Sequence, residues 1–288
     1  MVMVEINNNT WYEDKKFLSN LNIYLDAMKD DDDLLLVFCG PEGAGKSKRL
    51  RQVGAYCANY LGTTFSFDNI KFDIKEYMDF SIDSPQYTVC VLDEARNQLN
   101  RKNSMTKVVK RFTSYLSECR KKRQVHIIAL PAYHDLDRYV VLWRMKFMVL
   151  LHKWFEPDET RESGYKLGRG RYTMFINGPK IQQKYEYPYQ YPAQWEVRAE
   201  FKNVEVLTPE DLKLYDDKKD DNIEKRYHSR YEEIELGKNE TKWKSRWVGV
   251  VETMLNARGV SQGELADASK MEMKTFYNTL QQLPKSQN

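Results

Sequence analysis

The chain has 288 residues, of which 41% are hydrophobic and 30% charged, enough for one sizeable α/β domain plus a small appendage. A net charge of +3 is too small to mark a nucleic-acid binder by itself, so any such reading must come from local patches. The four cysteines, Cys39, Cys57, Cys90 and Cys119, are scattered and form no CxxC pair, which argues against a disulfide scaffold or a zinc site and for a reducing, cytoplasmic setting.

Residues 1–33 are polar and acidic. Phe17, Leu18, Leu21, Tyr24, Leu25 and Met28 fall at helical spacing, so one short helix is expected before the first core strand. Glu5, Asp26 and the run Asp30 to Asp33 do not resemble a signal peptide. Four like charges would oppose a phosphate site, so that run is expected as a solvated turn pointing away from it.

The run Leu34 to Cys39 has strand length and is wholly apolar, and Gly40 to Ser47 fits G-x-x-x-x-G-K-S. This is the P-loop pattern between a predicted strand and a predicted helix. Gly40, Gly43, Ala44 and Gly45 let the backbone form a nest of N–H groups at the positive end of the following helix. Lys46 can reach the β- and γ-phosphates, the Ser47 hydroxyl can ligate Mg²⁺, and Lys48 lies in the same first turn. The pattern predicts binding of ATP with Mg²⁺. A helix is expected from Ser47 to Tyr60, ending near Gly62.

Thr63 to Phe67 reads as a strand and Ile74 to Phe80 as a short helix. Thr88 to Leu92 is a β-rich apolar run followed at once by Asp93-Glu94, a buried parallel strand ending in two carboxylates. Downstream of a P-loop, Asp93 is the expected metal-side acid and Glu94 the group that orients or deprotonates the attacking water. Residues 96–123 are helical in pattern and basic on one side of the ledger, with Arg96, Arg101, Lys102, Lys107, Lys110, Arg111, Arg120, Lys121, Lys122 and Arg123 against Glu118. Such a run is either a solvated helix face or a polyanion-facing surface, with Lys121, Lys122 and Arg123 as candidate DNA contacts.

Val125 to Leu130 is a further strand. In ATPases of the additional-strand type a polar sensor ends this strand; here Leu130-Pro131 stands there, with Tyr133 and His134 just beyond. The apolar stretch Tyr139 to Leu151 contains Arg144 and Lys146 and is too short to cross a bilayer, so no membrane anchor is expected. A strand is expected over Arg144 to Leu151. Another is expected over Arg169 to Ile176, bracketed by turn residues as at a sheet edge or hairpin. The aromatic, Pro-rich stretch 185–195 reads as an extended segment lying on its own domain.

From Thr208 to Lys244 the chain is densely charged and reads as a linker or exposed helix. Beyond it, Ser261 and Glu264 form a capping box, and Gln262, Ala266, Met271 and Phe276 come close to helix-turn-helix spacing. Lys270 stands where the turn usually has glycine, and Thr279 where a second apolar residue is usual. Lys270, Lys274 and Asn278 are the candidate DNA contacts there; a helical docking module with the same core is the alternative. The expected organisation is an N-terminal acidic helical segment (1–33), a P-loop ATPase domain (34–204), a charged linker (205–244) and a small all-α helix-turn-helix module (245–288).

The order of P-loop, Asp93-Glu94 strand, basic helix and a strand leading into Pro131…Asp135-Leu136-Asp137-Arg138 resembles the FtsK/HerA-type ATPases. Within them it resembles the zonula-occludens-toxin-like and DNA-packaging ATPases of viruses and plasmids, over roughly residues 32–180. The resemblance implies a RecA-like α/β P-loop NTPase fold, self-association into a ring, ATP-driven movement of double-stranded DNA, and an arginine finger supplied in trans, for which Arg138 and Arg144 are candidates by position. A capsid, relaxase or replication partner and, for a virus, the host cytoplasm would follow. The sequence departs from the pattern in lacking the usual sensor glutamine and the toxin-like transmembrane helix. A second reading is an AAA+-like or partition-type regulatory ATPase that binds DNA through its C-terminal helices without translocating. A nucleotide kinase is a third, with no evident second-substrate pocket.

Overall fold

Strand β3 (Leu34–Cys39) is buried at all six positions because both faces of its sheet are covered. Leu34, Leu36 and Phe38 enter one core and Leu35, Val37 and Cys39 the other. This alternation explains a continuous apolar run in a parallel strand. The computed structural model describes residues 1–6, 9–93, 107–176, 197–201 and 204–235. The chain divides into two compact units, Met1–Asp217 and Lys218–Asn288.

Within the first unit, the elements in order are β1 (Val2–Ile6), β2 (Asn9–Glu13), α1 (Lys15–Ala27), β3, α2 (Lys46–Leu61), β4 (Ile70–Lys71), α3 (Ile74–Asp83) and β5 (Val89–Leu92). Then come α4 (Lys107–Glu118), β6 (Val125–Ala129), β7 (Phe147–Pro157), β8 (Tyr165–Ile176) and β9 (Val197–Glu200). The last helix, α5 (Pro209–Glu235), begins in this unit, and its residues from Lys218 on are the described part of the second.

The main sheet has the order β4-β5-β6-β3-β7-β8-β9. The pairings from β4 to β7 are parallel, whereas β7–β8 and β8–β9 are antiparallel. The architecture is thus an α/β sheet of the P-loop NTPase kind, mixed rather than wholly parallel. Strand β6 lies between β3 and β5, the additional-strand arrangement. Helices α1 and α2 and the β1–β2 hairpin cover one face; α3, α4 and the Val140–Arg144 segment cover the other.

Four local expectations are revised. The first 33 residues hold an antiparallel hairpin as well as the expected helix. Thr63 to Phe67 is not a strand: Phe65 lies on α2, where a Cβ on Gly54 would come within 2.7 Å of its ring, and only Ile70–Lys71 joins the sheet. The strand expected from Arg144 begins at Phe147 because Val140–Arg144 forms a single π-helical turn. Asp33 is not solvated: it is 1% exposed and accepts from Arg144 Nη2 at 2.5 Å, while Asp32 pairs with Lys146 and Asp31 with Arg123. The run does lie at the N-terminal ends of the parallel strands, opposite the P-loop, as expected on electrostatic grounds.

Around Asp33 the second core carries a polar network. Tyr77 Oη meets His126 Nδ1 at 2.6 Å, His126 Nε2 meets Cys119 Sγ at 3.4 Å, and Cys119 Sγ meets Asp33 Oδ2 at 3.6 Å. Oxygen, sulfur and nitrogen thus converge within 4.8 Å. Arg144 already neutralises the carboxylate, and burial pushes the Cys119 thiol up to about 12, so the group serves as a neutral buried network. Burial, with help from the Arg144 charge, holds His126 down from 6.5 to about 3. A histidine depressed in the folded state binds its proton first in the unfolded chain, so stability is lost as pH falls from 6.5 toward 3. Urea unfolding between pH 7 and 4 should therefore show a slope toward lower stability of up to about 1.4 kcal/mol per pH unit. This component should be absent in His126→Gln.

Candidate phosphate and metal site

Three backbone features make the loop after β3 a cradle. Gly40 has φ +139°, and a Cβ there would lie 2.5 Å from the Leu151 carbonyl oxygen of β7, so only glycine fits. Gly45, at φ +97°, is the N-cap of α2 and brings no side chain to the first turn. The N–H groups at the start of α2 are thus left facing the loop, where an anion is favoured. Ala44, wholly buried, donates its N–H to the Pro41 carbonyl at 3.2 Å and closes the turn.

Lys46 is half-buried and folds back on the loop, donating to the Gly40 carbonyl at 2.6 Å and the Pro41 carbonyl at 2.9 Å. Burial lowers its pKa, while the Asp93 carboxylate works against that shift. These carbonyls hold the ammonium at the mouth of the nest, from which it can swing to a phosphate. Ser47 follows in the first turn of α2, and Lys48 is half-buried beside it. Lys153 of β7 was not foreseen. Its Nζ lies 3.3 Å from where a Gly43 Cβ would be, and its charge depresses Lys46. Two ammonium groups at one loop repel each other until an anion sits between them.

Asp93 follows β5 directly, with its backbone N–H held by the Lys71 carbonyl at 2.9 Å. It is 2% exposed, and Oδ2 accepts from the Tyr215 hydroxyl at 2.5 Å. Burial and the Asp93 charge push the Tyr215 pKa up and the Ser47 side chain opposes that shift, so one tyrosine lies beside both expected metal-binding residues. A buried carboxylate beside a hydroxyl is a hard-oxygen donor set, which fits Mg²⁺. Ser47 and Asp93, the predicted pair, thus share Tyr215 as a neighbour.

Helix α2 is fixed from behind. Arg49 is wholly buried, ion-paired to Glu13 of β2, and Glu13 also accepts from the Tyr172 hydroxyl at 2.8 Å. Its guanidinium lies 4.7, 4.6 and 5.0 Å from the ring centroids of Phe17, Tyr172 and Phe201. Among the described residues, Arg49 Nε and Nη2 find no hydrogen-bond acceptor, and these ring faces take their place. Arg51 donates to Glu205 through Nε at 3.0 Å and Nη2 at 2.5 Å, and Gln52 Nε2 donates to the Val204 carbonyl at 2.9 Å.

The other predicted site residues are distributed as follows. Glu94, Lys270, Lys274 and Asn278 lie outside the described residues, as do Arg96, Arg101, Lys102 and the whole helix-turn-helix segment. Leu130 and Pro131 present backbone rather than a sensor side chain to the loop: Gly40 N–H donates to the Pro131 carbonyl at 3.1 Å. Tyr133 is buried and stacked on half-buried His134, ring centroids 4.0 Å apart. Arg138 is exposed. Arg144 is withdrawn as a finger, because it is clamped by Asp33 and by the Leu116 carbonyl at 2.7 Å, at the sheet end remote from the loop. Lys122 donates to the Ile82 and Ser84 carbonyls and Arg123 to Asp31 and the Lys29 carbonyl, so both have intramolecular roles. Lys121 is exposed.

No protein-family model matches the sequence, and no curated protein matches it. Two solved structures are similar. The N-terminal domain of zonular occludens toxin from Neisseria meningitidis shares 11% identity over 53% of this chain and 98% of its own, with a TM-score of 0.32. The genome-packaging NTPase B204 from Sulfolobus turreted icosahedral virus 2, solved with ATP-gammaS, shares 15% over 51% of this chain and 92% of its own, with a TM-score of 0.30. At such low scores the phosphate site stands on its own residues.

Replacing Glu13 by Ala should cost about 3–5 kcal/mol of unfolding free energy, since it strands the buried Arg49 charge. Urea denaturation of the two proteins side by side measures it.

Proposed function

We propose that this chain is a Mg²⁺-dependent ATPase that drives work on DNA, as a translocating or packaging motor of a virus or mobile element. The observation that carries the ATPase reading is the convergence of the glycine cradle, Lys46, Ser47 and buried Asp93 at the ends of β3 and β5, with β6 between those strands. The loop N–H groups and the start of α2 bind the phosphates; Lys46 turns from the loop carbonyls to a phosphate oxygen, and Lys153 adds a second ammonium. Ser47 and Asp93 would hold the metal, which supplies neutralisation of phosphate charge when the nucleotide is bound. Glu94, next in sequence to Asp93, is the proposed base that orients the attacking water.

The DNA part rests on sequence: the one-sided basic stretch 96–123 and the helix-turn-helix spacing beyond residue 261. Assembly into a ring, with Arg138 as the remaining finger candidate, belongs to the same proposal. One observation favours the regulatory alternative: Lys122 and Arg123 are tied to their own chain, which moves the burden of DNA contact toward the segment expected from its sequence to be helix-turn-helix.

ATP hydrolysis measured with and without double- and single-stranded DNA tests the reading. We expect stimulation by DNA and a loss of at least about a hundredfold in kcat for Glu94→Gln with nucleotide binding retained. Hydrolysis indifferent to DNA contradicts the motor and leaves the regulator. Lys153→Ala is expected to raise KM for ATP about tenfold while sparing the fold, because it removes an exposed ammonium from the phosphate mouth.

A further inference from the structure

Tyr215 lies 122 residues from Asp93 in sequence and in a stretch that reads as a charged linker, yet it is 2% exposed. The segment leading to it is built to place it. Glu205 grips Arg51 of α2 with both carboxylate oxygens and takes the Val206 and Leu207 N–H groups at 3.1 and 3.3 Å. Thr208 then caps α5, accepting from the Asp211 N–H at 3.1 Å, and Pro209 opens the helix where its missing N–H costs nothing. Less than two turns later the Tyr215 ring packs on Phe72, centroids 5.3 Å apart, with the Arg51 guanidinium 4.5 Å over its face.

We propose that Tyr215 is a positioning residue for the metal–nucleotide site, holding Asp93 in the orientation from which it takes up the metal beside Ser47. This rests on the ATPase reading of the same site. The phenol has one proton, and it goes to Asp93 Oδ2. Its oxygen can then only accept, so a Ser47 hydroxyl that approaches it would donate and keep its own lone pairs available to a cation. Without the phenol the carboxylate loses the donor that fixes its Oδ2 and is free to rotate. The ring is clamped between Phe72 and Arg51, so it remains in place when the metal arrives rather than leaving as a plug would. The arrangement makes the segment 204–215 part of the active centre: anything that lifts the start of α5 loosens the metal residues.

The test uses the full chain and a fluorescent ATP analogue, titrated in EDTA and over a series of Mg²⁺ concentrations, with wild type and Tyr215→Phe. Removing one charge-assisted hydrogen bond should raise the Mg²⁺ needed for half-maximal binding about tenfold and leave metal-free binding within about twofold. An unchanged or lower Mg²⁺ requirement overturns the proposal, the lower value marking the hydroxyl as a competitor of the metal. In an Asp93→Asn background, Tyr215→Phe should have no further effect on the Mg²⁺ requirement; an undiminished effect there overturns action through Asp93. Should the Tyr215→Phe chain not fold, Glu205→Gln, which weakens the grip that places Tyr215, is expected to shift the Mg²⁺ requirement in the same direction, and no shift overturns the proposal. Wild type that binds no nucleotide with or without metal overturns the underlying site itself, a result distinct from any Tyr215 outcome.

Discussion

Everything at the phosphate site depends on how α2 is held. A helix that presents its N-terminus to phosphates must resist being pushed back along its axis, and this one does so with three buried polar side chains within a single turn. Arg49 reaches Glu13 near the start of the chain; Arg51 and Gln52 reach Glu205 and Val204 far along it. A buried guanidinium is costly without its carboxylate, so each pairing fixes one position of the helix rather than merely favouring it. The β1–β2 hairpin and the 204–215 segment, which look peripheral in sequence, are thereby recruited to the centre of the fold.

Charge is also sorted along the sheet. At the C-terminal ends of the parallel strands stand Lys46, Lys153 and Asp93, a set awaiting phosphate and metal. At the opposite ends Asp31, Asp32 and Asp33 are matched by Arg123, Lys146 and Arg144. The separation keeps a block of carboxylates off the phosphate mouth, where each would weaken anion binding. It also explains why an arginine that follows a core strand in sequence does not serve as a finger: its carboxylate partner lies 111 positions earlier, at the wrong end of the sheet.

The parts legible in sequence were those with local signatures. An apolar run bounded by glycines announces β3 and the cradle, and a run ending in Asp93 announces β5; both signals fit inside fifteen residues. The hairpin was missed because its few buried residues, among them Val4, Ile6 and Trp11, alternate with polar ones; the run Asn7-Asn8-Asn9 carried a turn signal that could have found it. Lys153 and Tyr215 were illegible for a different reason. Nothing local distinguishes a lysine on an edge-ward strand or a tyrosine in a charged helix, and their roles arise only when long-range pairing brings β7 and α5 to the loop. The structure also revised the basic stretch, since two of its charges cap neighbouring carbonyls.

The central claim is that the loop between β3 and α2 is a polyphosphate cradle with a metal position beside it. Isothermal titration of ATP, adenosine and inorganic tripolyphosphate into the full chain, with and without Mg²⁺, tests it most directly. The account predicts that ATP and tripolyphosphate bind at one shared site, that Mg²⁺ tightens both, and that adenosine alone does not bind measurably. Binding of adenosine as strong as that of ATP, or no competition between ATP and tripolyphosphate, would contradict it.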